Sequence, residues 1–117
     1  WCVFGCGGDR DKSKRAVMGK VASQLSDQQI ITNDNPRTEA PADIANEILK
    51  GIKNKNSSNI ILDRKQAIQS TIEQASNSDV ILIAGKGHED YQIIDNVKYH
   101  FDDVKISLDS LNKMGMK

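Results

Sequence analysis

The fold is decided by the stretch Trp1-Cys2-Val3-Phe4-Gly5-Cys6-Gly7-Gly8-Asp9-Arg10, in which a continuous apolar run passes into a glycine-rich turn. A short apolar run bounded by turn residues is typical of a β-strand. After the turn, apolar residues recur at helical spacing and predict a helix over Ser13–Leu25; they are Ala16, Val17, Val21, Ala22 and Leu25. Strand, glycine loop and helix together form the opening half of a βαβ unit.

The remainder of the chain alternates in the same way between apolar runs and amphipathic stretches. Strands are predicted at residues 28–32, 60–62 and 80–84, and a hairpin with an Asp95-Asn96 turn at residues 93–100. One helix begins at Pro41 and ends at Gly51, a second follows a cap at Asp63, and a last one follows a cap at Asp102 or Asp103. Their apolar faces are Ile44, Ala45, Ile48 and Leu49 in the first, Ala67, Ile68, Ile72 and Ala75 in the second, and Val104, Leu108 and Leu111 in the last.

This alternation of strands and helices predicts a parallel sheet with right-handed crossovers. Residues 80–84, Val-Ile-Leu-Ile-Ala, are the most apolar run and predict a strand covered on both faces in the middle of that sheet. We expect an α/β fold, a Rossmann-like three-layer domain with a mostly parallel sheet and a C-terminal antiparallel hairpin. Residues 1–117 suit a single domain.

The overall charge is balanced, with 16 basic and 16 acidic side chains and a net charge of 0 at pH 7. This balance argues against nucleic-acid binding and against binding to a membrane surface. Because no apolar run approaches the roughly 20 residues of a membrane helix, and the first residues lack the features of a signal peptide, we expect a cytoplasmic protein. Cys2 and Cys6 lie far along the chain from His88 and His100, so no metal site is predicted and both cysteines are interpreted as buried thiols.

The glycines at positions 5, 7 and 8 allow two interpretations. The segment fails the dinucleotide fingerprint because Arg10 stands where a third glycine is needed, and no Gly-Lys-Ser/Thr follows to complete a Walker pattern. The favoured interpretation is a sharp turn with close backbone approach. Anion binding at the N-terminus of the following helix stays open, and with it a stand-alone α/β module that binds a nucleotide or another anion.

Three polar loops follow predicted strands: the glycine loop with Arg10, Asp34-Asn35-Pro36-Arg37, and residues 85–89. Because ligands bind at the carboxyl ends of parallel strands, we expect these loops to line one cleft. In the second loop, Pro36 restricts the backbone on both sides. Arg37 offers a planar fork of donors, whereas ionised Asp34 can only accept hydrogen bonds. Opposite charges on a stiff loop suit a zwitterion.

These loops resemble the C-terminal domain of the Mur ligases, and within that family the enzymes that add meso-diaminopimelate to UDP-N-acetylmuramoyl-L-alanyl-D-glutamate (UDP-MurNAc-dipeptide) in peptidoglycan biosynthesis. The resemblance rests on residues 3–12 (VFGCGGDRDK), 34–39 (DNPRTE), 84–92 (AGKGHEDYQ) and 101–103 (FDD). It implies that Arg10 and Arg37 bind carboxylate of the incoming amino acid, and that a buried Arg37, left unpaired by lysine, would exclude it. It also implies that the remaining polar ends, including the distal ammonium, are held by Asp34, Asn35, the Gly85 backbone and Glu89, with Pro36 in the same motif.

The resemblance further implies an ATP-dependent amide ligase that uses Mg²⁺, whose phosphate-binding loop and metal ligands belong to a central domain that this chain lacks. We therefore expect an amino-acid-binding domain from a larger enzyme, with the N-terminal and central domains missing. The isolated chain is expected to bind neither ATP nor Mg²⁺ and to have no ligase activity. No catalytic residue is predicted; His88 as a general base, and Lys12, Lys14 and Arg15 as nucleotide-phosphate ligands, stay open.

Overall fold

The helices and strands follow one another in the predicted order. A computed structural model describes residues 1–86 and 88–115, so Gly87 of the third polar loop lies outside the described residues. The elements are β1 (Cys2–Phe4), α1 (Ser13–Leu25), β2 (Gln29–Ile31), α2 (Pro41–Leu49), a 3₁₀ turn (Lys55–Ser57), β3 (Ser58–Ile60), α3 (Arg64–Gln74), β4 (Leu82–Ile83), β5 (Tyr91–Ile94), β6 (Val97–His100) and α4 (Asp103–Gly115).

The main sheet is parallel and has the strand order β3-β2-β1-β4, while β5 and β6 form a separate antiparallel pair. Side chains alternate along the strands, so that one face packs on α2 and the other on α3. The first core contains Phe4 and Ile31 with Ile44 and Ile48, and the second contains Val3, Ile30 and Ala67. This arrangement confirms the predicted α/β class, with its mostly parallel sheet and C-terminal antiparallel hairpin.

Local sequence signals located several element ends correctly. The Asp63 carboxylate accepts a hydrogen bond from Gln66 N at 3.3 Å, as an N-cap does. The Asp102 carboxylate accepts from the amides of Val104 and Lys105 at the start of α4. In the hairpin turn, Asp95 and Asn96 have φ values of 50° and 61°, as in a type I′ turn. Asn96 therefore adopts the positive φ that glycine usually provides at this position.

The fourth strand is not central, and the prediction for residues 80–84 is wrong in this respect. Strand β1 lies in the interior of the sheet, while β4 is a two-residue edge strand paired with β1 alone. Leu82 is 59% exposed, because no described helix covers β4 on the α1 side of the sheet. The third strand also begins two residues earlier than predicted, at Ser58.

Most of the apolar face predicted for α1 does not form core, although Ala22 is partly buried against the first core. The buried residues of α1 are Arg15 and Gly19, while Val17, Val21 and Leu25 are exposed and line a groove of about 790 Å³ with residues of β4. The reason is the contact with α2, which is so close that a Cβ on Gly19 would lie 2.1 Å from Ile48 O. Close packing at Gly19 turns the polar Arg15 side towards α2 and the apolar side away.

The apolar face predicted for α4 is exposed as well. Val104, Leu108 and Leu111 are each more than half exposed, whereas Asp103 and Ser110 are buried on the side of the helix that packs on α3. An ion pair from Asp103 to α3, described below, sets this orientation. In the part of the chain that the structure describes, no helix has both the length and the apolar character needed to cross a membrane.

Candidate functional site

The three polar loops meet at the carboxyl edge of the sheet. Gly8 N donates to Asn35 O at 2.7 Å, which joins the glycine loop to the second loop. Lys86 Nζ donates to Asn35 Oδ1 at 3.1 Å, which joins the second loop to the third. The hairpin is attached at the same place, because Arg37 N donates to Ile93 O and Asp95 N donates to Arg37 O. Asn35 is therefore the residue on which all of these segments converge.

The glycine loop packs directly on the second loop, which accounts for its composition. A Cβ on Gly5 would lie 2.1 Å from Thr32 O, and a Cβ on Gly8 would lie 1.8 Å from Pro36 O. No larger residue fits at either position, so the interpretation of close backbone approach is confirmed.

The N-terminus of α1 already carries an acidic partner. Asp11 Oδ1 accepts hydrogen bonds from the amide and the hydroxyl of Ser13, which lowers the pKa of Asp11 below its ordinary value. An anion approaching this helix end would therefore meet a carboxylate. The geometry gives no support to an anion site at the start of α1.

Arg37 and Arg10 flank Gly7. Arg37 Nη1 donates to Gly8 O at 2.9 Å and to Asn35 O at 3.2 Å, which fixes one side of its fork. A Cβ placed on Gly7 would lie 2.9 Å from that nitrogen and 3.5 Å from Arg10 Cγ. Among the described residues, neither guanidinium forms an ion pair. Both side chains thus border Gly7, and both guanidinium groups are available to an anionic ligand.

The backbone of Arg37 is held in an uncommon conformation. Its φ of 52° lies in the left-handed region, which a long side chain adopts rarely and at a cost of about 1–3 kcal/mol. The hydrogen bonds to Ile93 and Asp95 maintain it. The side chain is half-buried rather than fully buried, so the expectation of a buried Arg37 is only partly met.

Asp34, Asn35 and Gly85 lie together on the third-loop side of the region bounded by the three polar loops, which we call the cleft. A Cβ on Gly85, whose φ is 114°, would lie 3.2 Å from Asp34 Oδ2, so glycine suits this position for both conformation and space. Asn35 is buried, and its Oδ1 accepts from both Lys86 Nζ and Ile93 N. The Asn35 amide oxygen thus has a structural role, and among the side-chain atoms of Asn35 the Nδ2 donor is the one suited to a ligand.

Glu89 is half-buried and accepts a hydrogen bond from the Tyr91 hydroxyl at 3.2 Å. The charge of the Glu89 carboxylate raises the pKa of Tyr91 above its ordinary value. Tyr91 lies inside the third polar segment, although no role was predicted for it. His88, next to Glu89, is exposed, and a role for it as a general base stays an open prediction.

Arg15 has a structural role, and only 1% of its surface is exposed. Its terminal nitrogens donate to both Glu39 oxygens at 2.9 Å, to Glu47 at 2.6 Å and to Gly7 O at 3.1 Å. The guanidinium thus joins α1, the glycine loop, the second loop and α2. Arg15 is therefore not solvated at the helix start, and its terminal nitrogens are bound by Glu39, Glu47 and Gly7. Lys12 and Lys14 are exposed there, and their role towards a nucleotide stays untested.

The Arg15–Glu39 pair predicts how stability depends on pH. Hydrogen bonds from Arg15 and from Asp9 N lower the pKa of Glu39 from 4.5 to about 2. A lowered pKa in the folded state stabilises the fold above pH 4.5, and this stabilisation is lost as the pH falls towards 2. Glu39→Gln is therefore expected to lower the free energy of unfolding at pH 7 by about 1–3 kcal/mol, and by less at pH 3.5.

Urea unfolding of this chain at the two pH values measures that difference. Glu73→Gln is the matched control, because Glu73 is an exposed residue of α3. A deficit for Glu39→Gln that is as large at pH 3.5 as at pH 7 would show that the Glu39 charge is not the stabilising feature.

The described residues contain no group of three or more His, Cys, Asp or Glu side chains placed to hold a metal ion. Cys2 and Cys6 are free thiols, and both are half-buried, whereas the sequence predicted that they would be fully buried. Their partial burial raises the pKa of each thiol.

The fold and the cleft define an α/β domain that presents arginine forks and carboxylates at the carboxyl edge of a parallel sheet. Residues 1–87 match the family described as "Mur ligase, glutamate ligase domain". The chain belongs to the Mur ligase family.

Two curated relatives carry the name UDP-N-acetylmuramoyl-L-alanyl-D-glutamate--2,6-diaminopimelate ligase. The protein of Buchnera aphidicola subsp. Baizongia pistaciae is 56% identical over 97% of this chain, and that of Haemophilus influenzae strain Rd is 56% identical over 95%. A solved structure of a ligase with the same name superimposes with a TM-score of 0.93 and 43% identity over 98% of this chain. The chain spans 22% and 23% of the length of the two relatives and 24% of the solved chain.

Proposed function

We propose that this chain is the amino-acid-binding domain of an ATP-dependent ligase that adds meso-diaminopimelate to UDP-MurNAc-dipeptide in peptidoglycan biosynthesis. The names of the relatives support this substrate pair. The rest of such an enzyme would supply the N-terminal and central domains, the nucleotide site and the Mg²⁺ ligands. Location in the cytoplasm, as the sequence predicts, is part of the proposal.

The observation that carries the proposal is that cationic forks and carboxylates meet where the three loops converge. Arg10 and Arg37 border Gly7 without acidic partners among the described residues. Asp34 borders Gly85, and Glu89 accepts a hydrogen bond from Tyr91, which is close enough to Arg37 for the Arg37 charge to act on it. Diaminopimelate carries a carboxylate and an amine at each end. Guanidinium forks match its carboxylates, and carboxylate oxygens match its ammonium group.

The role of this domain is to hold and orient the amino acid. In the family reaction ATP phosphorylates the glutamate side-chain carboxylate and leaves ADP, and an amine of the incoming amino acid then attacks the acyl phosphate, forming the amide and releasing phosphate. Residues of this chain would fix the far end of the diaminopimelate, so that the reacting amine lies at the correct distance from the acyl phosphate. Such positioning alone contributes substantially to the rate of a two-substrate reaction.

The Arg37 fork also accounts for selection against lysine. Lysine has no distal carboxylate and would leave this half-buried guanidinium without its anionic partner. Sites that hydrogen-bond a substrate group discriminate strongly against analogues that lack the group. No geometric observation favours a stand-alone nucleotide module, since the glycines pack on the second loop and Asp11 occupies the start of α1.

The experiment is ADP release by the full-length enzyme with UDP-MurNAc-dipeptide and either meso-diaminopimelate or L-lysine. We expect kcat/KM for meso-diaminopimelate to exceed that for lysine by at least about 100-fold. Equal turnover with both amino acids, or turnover with lysine alone, would refute the substrate assignment.

A further inference from the structure

Lys86 is a buried cation at the centre of the cleft wall. Its side chain is 0% exposed, and its Nζ lies within bonding distance of three oxygens: Asn35 Oδ1 at 3.1 Å, Tyr91 O at 2.8 Å and Asp34 Oδ1 at 3.0 Å. An ammonium group has three N–H donors and is costly to bury without partners. Full burial with three oxygen partners marks Lys86 as a fixed part of the wall rather than a solvated charge.

The two oxygens of the Asp34 carboxylate have different surroundings, because Lys86 contacts Oδ1. Asp34 Oδ1 is buried and has no hydrogen-bond partner of good geometry among the described residues, so its contact with Lys86 is an ion pair. Asp34 Oδ2 lies on the side of Gly85. Lys86 thus binds one oxygen and leaves the other for a ligand in the cleft.

The hydrogen bond from Lys86 to Asn35 fixes the orientation of the Asn35 side-chain amide. Lys86 Nζ and Ile93 N both donate to Asn35 Oδ1, which places the oxygen inside the protein and makes Nδ2 the outward donor. Lys86 Nζ also donates to the backbone oxygen of Tyr91, the hairpin residue whose hydroxyl donates to Glu89. One ammonium therefore sets the positions of groups on two loops.

We propose that Lys86 is a positioning residue for the ammonium end of the bound amino acid, acting through Asp34 and Asn35. This inference rests on the function proposed above and assigns a role that the motif residues alone do not reveal. The ion pair with Lys86 partly neutralises Asp34. Among the described residues, no cation forms an ion pair with Glu89. Glu89 then carries most of the attraction for the ligand ammonium, while Asp34 and Asn35 direct it.

The test is Lys86→Met in the full-length enzyme, with Lys105→Met as the matched control because Lys105 is exposed on α4. We expect KM for meso-diaminopimelate to rise about 10–100-fold, while KM for ATP and for UDP-MurNAc-dipeptide stays within about twofold. Asp34→Asn and the Lys86→Met/Asp34→Asn double variant complete a cycle. If Lys86 acts through Asp34, the double variant should be no worse than the more affected single variant.

Several outcomes would overturn the inference. They are an unchanged KM for meso-diaminopimelate, a parallel rise of KM for all three substrates, or fully additive effects in the double variant. Lys86→Gln, which keeps a donor, is measured as well, and unfolding of both Lys86 variants would assign the residue to stability alone. A native enzyme that does not use meso-diaminopimelate would instead refute the proposed function, so the two failures are distinguishable.

Discussion

Arg37→Ala in the full-length enzyme is expected to lower kcat/KM for meso-diaminopimelate by about 100-fold. A hydrogen bond to a charged group is worth about 1.5–3 kcal/mol, and 2.7 kcal/mol corresponds to about 100-fold. Arg37 Nη1 also donates to Gly8 O and Asn35 O, so the truncation removes the contacts that fix the fork as well as the fork itself. The loss should appear mainly in KM, because binding is the step that this domain serves.

Arg37→Lys separates charge from shape. It keeps the positive charge but cannot make two parallel bonds to a carboxylate, so we expect a smaller loss than for alanine. Lys20→Ala is the control, since Lys20 is exposed on α1 and has no proposed role in binding. Steady-state kinetics with varied meso-diaminopimelate provide the measurement. If Arg37→Ala matched the native enzyme, the carboxylate would have to be bound elsewhere.

Asp103→Ala is expected to lower the free energy of unfolding of this chain by about 3–5 kcal/mol, because it leaves a buried guanidinium without its counter-ion. Arg64 is 1% exposed and donates to Asp103 Oδ1 at 2.8 Å and Oδ2 at 2.7 Å. It also donates to Asn33 O and Ala84 O, the residues directly before Asp34 and Gly85. The pair thus holds together α3, α4 and the bases of two cleft loops.

Urea unfolding followed by circular dichroism measures this effect. Asp109→Ala on the exposed side of α4 is the control and should change stability by less than about 0.5 kcal/mol. Replacing both partners, as in Arg64→Met/Asp103→Leu, should cost less than Asp103→Ala, since no charge remains buried. A loss below about 1 kcal/mol for Asp103→Ala would show that the pair is not required for the fold.

The sequence predicted those features that depend on neighbouring residues. Helix α1 has the predicted limits, and the caps at Asp63 and Asp102 and the Asp95-Asn96 turn are all local interactions. The position of β4 could not be predicted in this way. A run such as residues 80–84 has the composition of a covered strand, but its coverage depends on which helices cross over it.

The cleft likewise contains features that the sequence predicted and features that it did not. The loops that carry Arg10, Asp34 and Arg37 follow strands, and their convergence follows from the rule for parallel sheets. The residues that hold the loops were missed, because each pairs with a partner distant in sequence. Lys86 lies 51 residues from Asn35, and Arg15 lies 24 from Glu39. A charged residue in a sequence does not reveal whether it is solvated or buried against a distant partner.

A structure of the full-length enzyme with bound meso-diaminopimelate would locate the ligand relative to these loops. We expect a carboxylate of the ligand to contact the Arg37 fork beside Arg10, and its distal ammonium to lie between Glu89, Asp34 Oδ2 and the Gly85 backbone. A ligand bound away from these loops, or bound with an ammonium group at Arg37, would contradict this expectation.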